Sequence, residues 1–243
     1  AARLLDEGSP IIRVGFESGL KGFDDIWVEY DPLRAPQDHR GNSVHIERMQ
    51  CKWHAIPGSF THGDLVRPEY INATTTSMLQ RALAAHRHDK ANECTSRLVL
   101  VTNHMADLAD ALAKCIRSKS LNLDVDKLFQ GTTERSATGS LRKLWCDHLG
   151  IEEEELRALC NSLAFHLSRD SLDGLRDLLD SACRANGLVR PEPNASVTVY
   201  DGNIFEWVGQ RRTVFDRSDF KDKCAQEGLL AEKPKAAPLI FGV

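Results

Sequence analysis

Gln50 and Lys52 stand two residues apart in the stretch 43–54 (SVHIERMQCKWH), which alternates polar and apolar side chains. Such alternation predicts a β-strand, on which residues i and i+2 share a face. An amide and an amine on one face, beside an acid on a neighbouring strand, can hold a divalent cation and a water against a phosphate. The preceding run, 23–30 (FDDIWVEY), begins with two acids, Asp24 and Asp25. Asp25 is the better candidate ligand and Asp24 its competitor, because spacing alone does not fix which one faces the site. Phosphodiester hydrolysis needs a Lewis acid and a water made nucleophilic. A hard cation such as Mg²⁺ needs only one or two carboxylates and keeps several waters. In that chemistry Gln50 is a weaker oxygen ligand, and Lys52 orients the water or neutralises the transition state. Glu17, closing an earlier predicted strand, is a further acid.

The elements that must position these residues follow in chain order. Residues 1–8 read as a helix end, stopped by Gly8-Ser9-Pro10. Strands are predicted over 11–17, 23–30 and 43–54, joined as an antiparallel meander. A loop over 54–70 passes the end of the third strand, where substrate contacts are common. A helix is expected over 75–89, a strand buried on both faces over 97–103 (RLVLVTN), and a second helix over 105–116. Helix, strand and helix after a meander predict an α/β fold around a mixed sheet. Three further helices are expected at 141–150, 152–167 and 171–186. A β-hairpin around Asp201-Gly202 should pair 196–200 with 204–208, and a last helix spans 218–228. The expected organisation is a core over 1–120, then a helical accessory subdomain over 121–243 with the hairpin and a tail leading toward a sensor region.

Composition narrows the class. Of the 243 residues, 42% are hydrophobic and 27% charged, which predicts a buried core rather than disorder. No run approaches a membrane span and no signal peptide is visible, and the start without Met suggests that residues precede Ala1. The seven cysteines are scattered, odd in number and never form CxxC, which predicts reduced thiols and a cytoplasmic setting. The sequons at Asn72 and Asn194 are then chance matches. The net charge of −4 argues against strong autonomous nucleic-acid binding, but not against a local basic surface completed by oligomerisation. His54, Arg81, Arg87 and Lys90 are the candidate phosphate contacts.

The ordinary readings stand beside these. Lys52 can be a lysine snorkelling from a sheet edge, Asp24-Asp25 a turn-side pair, Gln50 a solvated polar residue, and Arg81, Arg87 and Lys90 a solvated helix face. Cys146-Asp147-His148 is not a zinc site, since consecutive helical residues point apart. Glu152–Glu155 is an acidic first helical turn.

Gly-Phe-Asp-Asp-Ile, a gap, then Met-Gln-Cys-Lys-Trp resembles the D…(E/Q)xK signature of the PD-(D/E)xK nuclease superfamily. Within it the pattern is most similar to double-strand DNA endonuclease domains of bacterial anti-phage effectors of the CBASS and STAND types. The resemblance covers residues 1–116 best. It implies a restriction-endonuclease-like αβββαβ core, Asp25, Gln50 and Lys52 as the catalytic set, and Mg²⁺ or Mn²⁺ at Asp25 and Gln50, with Glu17 and Asp24 as further candidates. It also implies double-stranded DNA as substrate and control by a sensor domain or partner. Two alternatives remain: a non-catalytic assembly module on the same fold, and an RNA-directed nuclease.

Overall fold

The computed structural model describes residues 1–131, 133–167, 171–190 and 198–230. Strands β1 (Ile11–Phe16), β2 (Ile26–Tyr30) and β3 (Ile46–Lys52) form an antiparallel meander. A short strand β4 (Ser59–Phe60) and helix α1 (Met78–Ala91) lead to β5 (Ser96–Thr102), which runs parallel to β3 with Lys52 opposite Thr102. The consecutive residues Leu98, Val99 and Leu100 are all buried, as a strand covered on both faces requires. A crossover helix between parallel strands is what a βαβ connection demands.

Helix α1 begins with a reciprocal cap. Gln80 N donates to Ser77 Oγ at 3.2 Å, and Ser77 N donates to Gln80 Oε1 at 2.9 Å. Its apolar stripe, including Met78, Leu79, Ala82 and Leu83, packs into a core with Leu98 and Leu100. Arg48 of β3 grips Asp89 of α1 through two hydrogen bonds, Nε to Oδ2 at 3.0 Å and Nη2 to Oδ1 at 2.8 Å. Arg48 is mid-strand and Asp89 lies near the helix end. The helix therefore runs antiparallel to β3, with its N-terminus toward Lys52.

Three expectations change. The helix expected over 105–116 is a short strand β6 (Met105–Ala106), paired with β4, and then helix α2 (Ala111–Cys115). Asp107 accepts from Ala109 N at 2.9 Å and Asp110 from Leu112 N at 2.8 Å, so local acid-to-backbone bonds interrupt the helical pattern. After α3 (Val125–Leu128) and α4 (Ala137–Leu149), the helix expected over 152–167 ends early. Helix α5 (Glu153–Ser162) passes directly into strand β7 (Leu163–Leu167), parallel to β5. Leu163, Ala164 and Phe165 are consecutive and buried, a demand that one face of a surface helix cannot meet. Helix α6 (Leu172–Ala185) follows expectation. The hairpin does not: Thr198–Gly209 is helix α7. Tyr200, Ile204 and Trp207 stand at helical spacing and pack into one core, and Gly202 is not required by a turn. Strand β8 (Val214–Asp216) then pairs antiparallel with β1, and α8 (Arg217–Gln226) follows.

The sheet order is β7-β5-β3-β2-β1-β8. The division expected at residue 120 separates β1–β6 from β7 and β8, which the sheet joins. One core lies between the sheet and α1, α2, α4 and α5; the second lies against β1 and β2 with α6, α7 and α8. Cys115, Cys160, Cys183 and Cys224 are buried in these cores as small apolar groups. Among the described residues no helix is long and apolar enough to cross a membrane. Pro191, Pro193, the sequon at Asn194, the start of the expected strand 196–200 and the tail from 231 lie outside the described residues.

Candidate active site

The candidate site forms where the β1–β2 turn meets the end of β3. Asp25 immediately precedes β2, and its Oδ2 accepts from Cys51 N at 2.6 Å and from the carboxamide Nε2 of Gln50. A carboxylate so held cannot swing away. Gln50 itself is 2% exposed. Asp24 does a different job: its Oδ1 accepts from Gly22 N at 2.8 Å and closes the turn. The turn gives Asp24 a backbone partner and leaves Asp25 facing β3.

Glu17, directly after β1, has φ of 45°, a left-handed conformation that costs a non-glycine residue about 1–2 kcal/mol. Its N donates to Asp25 O at 3.1 Å, so the pairing of β1 with β2 continues into the turn. Partial burial raises the Glu17 carboxyl above its usual range, and the charges of Asp25 and then Asp24 add to the rise while Lys52 opposes it. Glu17, Asp25, Cys51 and Lys52 line one cavity of about 660 Å³ whose remaining wall is largely apolar, with Phe16, Ile204 and Trp207. Burial, with the Asp25 charge second, pushes the Cys51 thiol up to about 11. At neutral pH it is a protonated thiol rather than a nucleophile.

The donor set suits a hard cation. Two carboxylates whose charges oppose each other share a cavity with one ammonium, and one of them carries a raised pKa that a cation would relieve. Among the described residues no group of three His, Cys, Asp or Glu side chains is placed to hold a metal. A cation held there would take an amide or water as its third ligand, which Mg²⁺ accepts and zinc sites rarely do.

The candidate phosphate contacts divide. His54 lies two residues past Lys52, its ring stacked on His104 at 4.0 Å and near Tyr70 at 5.0 Å. Burial, and then His104, lowers its pKa. Arg81, near the start of α1, runs its side chain along Gly22; a Cβ there would come within 2.5 Å of Arg81 Cδ. Arg87 and Lys90 sit toward the far end of α1, away from Lys52, and Arg87 Nε donates to Glu155 Oε1 at 2.7 Å. Sequence reasoning did not find the Cys51 main-chain donor, which no residue type encodes. It also passed over Asn103, whose only signal is an amide directly after a buried strand.

No protein-family model matches the chain. A curated relative does. The chain is similar to CD-NTase-associated protein 4. That protein, from Enterobacter hormaechei subsp. hoffmannii (strain UCI 50), is 30% identical over 230 residues, 93% of this chain. The chain spans 45% of the length of CD-NTase-associated protein 4. Among solved structures it is similar to the Acinetobacter baumannii Cap4 SAVED/CARF-domain containing receptor, with TM-score 0.46 and 14% identity over 93% of this chain and 43% of that one. The same receptor with the cyclic trinucleotide 3'3'3'-cAAA gives TM-score 0.46 and 15% identity over 93% and 44%.

Proposed function

We propose that this chain is the DNA-cutting part of a regulated effector of bacterial anti-phage defence, hydrolysing phosphodiester bonds of double-stranded DNA with Mg²⁺ or Mn²⁺. The observation that carries this reading is the convergence of Glu17, Asp25, Gln50 and Lys52 from three adjacent strand ends, with Asp25 locked by Gln50 and the Cys51 amide. The strand order and the helix between β3 and β5 fit the PD-(D/E)xK reading. Similarity to a CD-NTase-associated protein supports a place in CBASS.

Asp25, with Glu17 and the Gln50 carbonyl, would hold the cation. Gln50 now turns its nitrogen to Asp25, and a half-turn of the carboxamide presents its oxygen instead. The cation supplies a Lewis acid that takes up charge on the phosphate. Lys52 places its ammonium beside the phosphate, where it stabilises the developing negative charge and orients a water. The water oxygen bonds to phosphorus and gives up one proton to solvent, one P–O ester bond breaks, and the leaving oxygen takes a proton from solvent. Arg81 and His54 are the nearer phosphate contacts; Arg87 and Lys90 extend the contact along α1. With net charge −4, productive DNA binding would follow assembly or release by a sensor region.

Plasmid cleavage with Mg²⁺ or Mn²⁺, wild type against Lys52→Ala and Asp25→Asn, tests the reading. Metal-dependent cutting lowered at least about 100-fold in both variants is the expected result. Cutting that survives in Lys52→Ala overturns the site. Absence of cutting by the assembled wild type favours the non-catalytic module, and cutting of RNA in preference to DNA favours the RNA-directed nuclease.

A further inference from the structure

Lys52 is the last residue of β3, and the next residue, Trp53, is 46% exposed. Trp53 is therefore not what holds the chain just beyond the amine. A hydrogen-bonding side chain fixes the backbone there. Asn103, directly after β5 and 2% exposed, bonds both backbone groups of His54. His54 N donates to Asn103 Oδ1 at 2.9 Å, and Asn103 Nδ2 donates to His54 O at 2.7 Å. The carboxamide thus acts as one more rung of the parallel β3–β5 ladder, past the last paired residues, Lys52 and Thr102.

The anchor is itself anchored. Thr102 Oγ1 accepts from Tyr70 OH and from His104 N, each at 3.3 Å. The rings of Tyr70 and His104 flank His54. On the other side of Lys52, the Cys51 amide is held by Asp25 at 2.6 Å. Lys52 is bracketed by one fixed point a residue before it and another two residues after it.

We propose that Asn103 is a positioning residue for Lys52: it fixes the backbone beyond β3 and so aims the Lys52 ammonium at the site of Asp25. It does not touch substrate. The proposal rests on the reading of Lys52 as the functional amine. A misplacement of about 1 Å at a reacting group can cost on the order of 100-fold in rate. The loss should fall on kcat through Lys52 and also on KM through His54, a phosphate contact in that reading whose backbone Asn103 holds.

The test compares wild type, Asn103→Ala and Asn103→Asp in the full chain. Asn103→Asp keeps the acceptor for His54 N but sets a second acceptor and a buried negative charge against His54 O, so it opens the clamp without shortening the side chain. If Asn103→Ala does not fold, Asn103→Asp carries the test alone. Two readouts are taken: plasmid cleavage split into kcat and KM, and the NMR shift and titration of the Lys52 side chain, assigned with Lys52→Arg. The expected result is a kcat lowered about 10- to 100-fold and a KM raised as His54 shifts, together with a moved Lys52 signal. Both variants should fall below wild type. An unmoved Lys52 signal in folded variants overturns the proposal, whether or not kcat falls. A moved Lys52 signal in a protein that cuts no DNA sustains the positioning role and overturns the nuclease reading instead. Wild-type-like cutting and an unmoved Lys52 in both variants, with loss only in Lys52→Ala, does the reverse.

Discussion

Removing the charge of Asp89 should destabilise the chain more than any exposed ion-pair change. The Asp89 side chain is 2% exposed and that of Arg48 10%, and the two share two hydrogen bonds at 2.8 and 3.0 Å. Asp89→Asn keeps the shape but sets an amide N–H against a guanidinium N–H and leaves a buried cation without its counter-charge. Breaking one partner of such a pair costs about 3–5 kcal/mol. For a chain of this size each kcal/mol moves the melting temperature by about 2–4 °C, so the midpoint should fall by about 6–20 °C. Replacing both partners, Arg48→Met with Asp89→Leu, removes the unpaired charge and should restore stability to within about 2 kcal/mol of wild type. Urea unfolding of wild type, both single variants and the double variant gives the coupling directly. A loss below about 1 kcal/mol in Asp89→Asn, the range of exposed pairs, would refute the claim that this pair fastens α1 to β3.

Further outcomes follow from other features. Burial is the leading cause of lowered pKa values at His54, His86 and His148. Between those lowered values and the ordinary 6.5, the unfolded chain binds more protons than the folded one. Stability is therefore full above 6.5 and falls as pH drops through that window; His86→Gln should flatten the slope in a melting series from pH 7.5 to 5. Gly15→Ala would put a Cβ at 2.2 Å from the Trp27 indole and should cost about 1–3 kcal/mol in urea unfolding. Ser77→Ala removes the α1 cap and the partner of His148 Nε2 at 2.7 Å, for a loss of about 1 kcal/mol in the same assay.

The parts of this fold legible in the sequence are those governed by local pattern. The alternation around Gln50 and Lys52, the apolar run of β5 and the stripe of α1 each state their element in their own residues. What escaped was set by distant partners. LAFHL becomes strand β7 because β5 offers an open edge, which α5 cannot anticipate. Asp201-Gly202 signals a turn, yet the burial of Tyr200, Ile204 and Trp207 against β1 and β2 favours a helix. At the site, residue types and spacing singled out an acid, an amide and an amine, and the structure brings Asp25 and Gln50 together. The different partners of Asp24 and Asp25 depend on one hydrogen bond to Gly22, and the clamp by Asn103 on a meeting of two strand ends 49 residues apart.

Both outer strands of the sheet come late in the chain. β7 and β8 supply the two edges, while the strands bearing Glu17, Asp25 and Lys52 are made first. During synthesis the early strands leave the ribosome with both outer flanks open, and the outer edge of β1 must wait for residues some 200 positions downstream, as Val14 opposite Phe215 shows. High contact order slows folding, and unpaired edges invite association with other chains. A nascent chain ending near residue 120 would therefore carry open edges on β1 and β5 and be prone to associate with other chains.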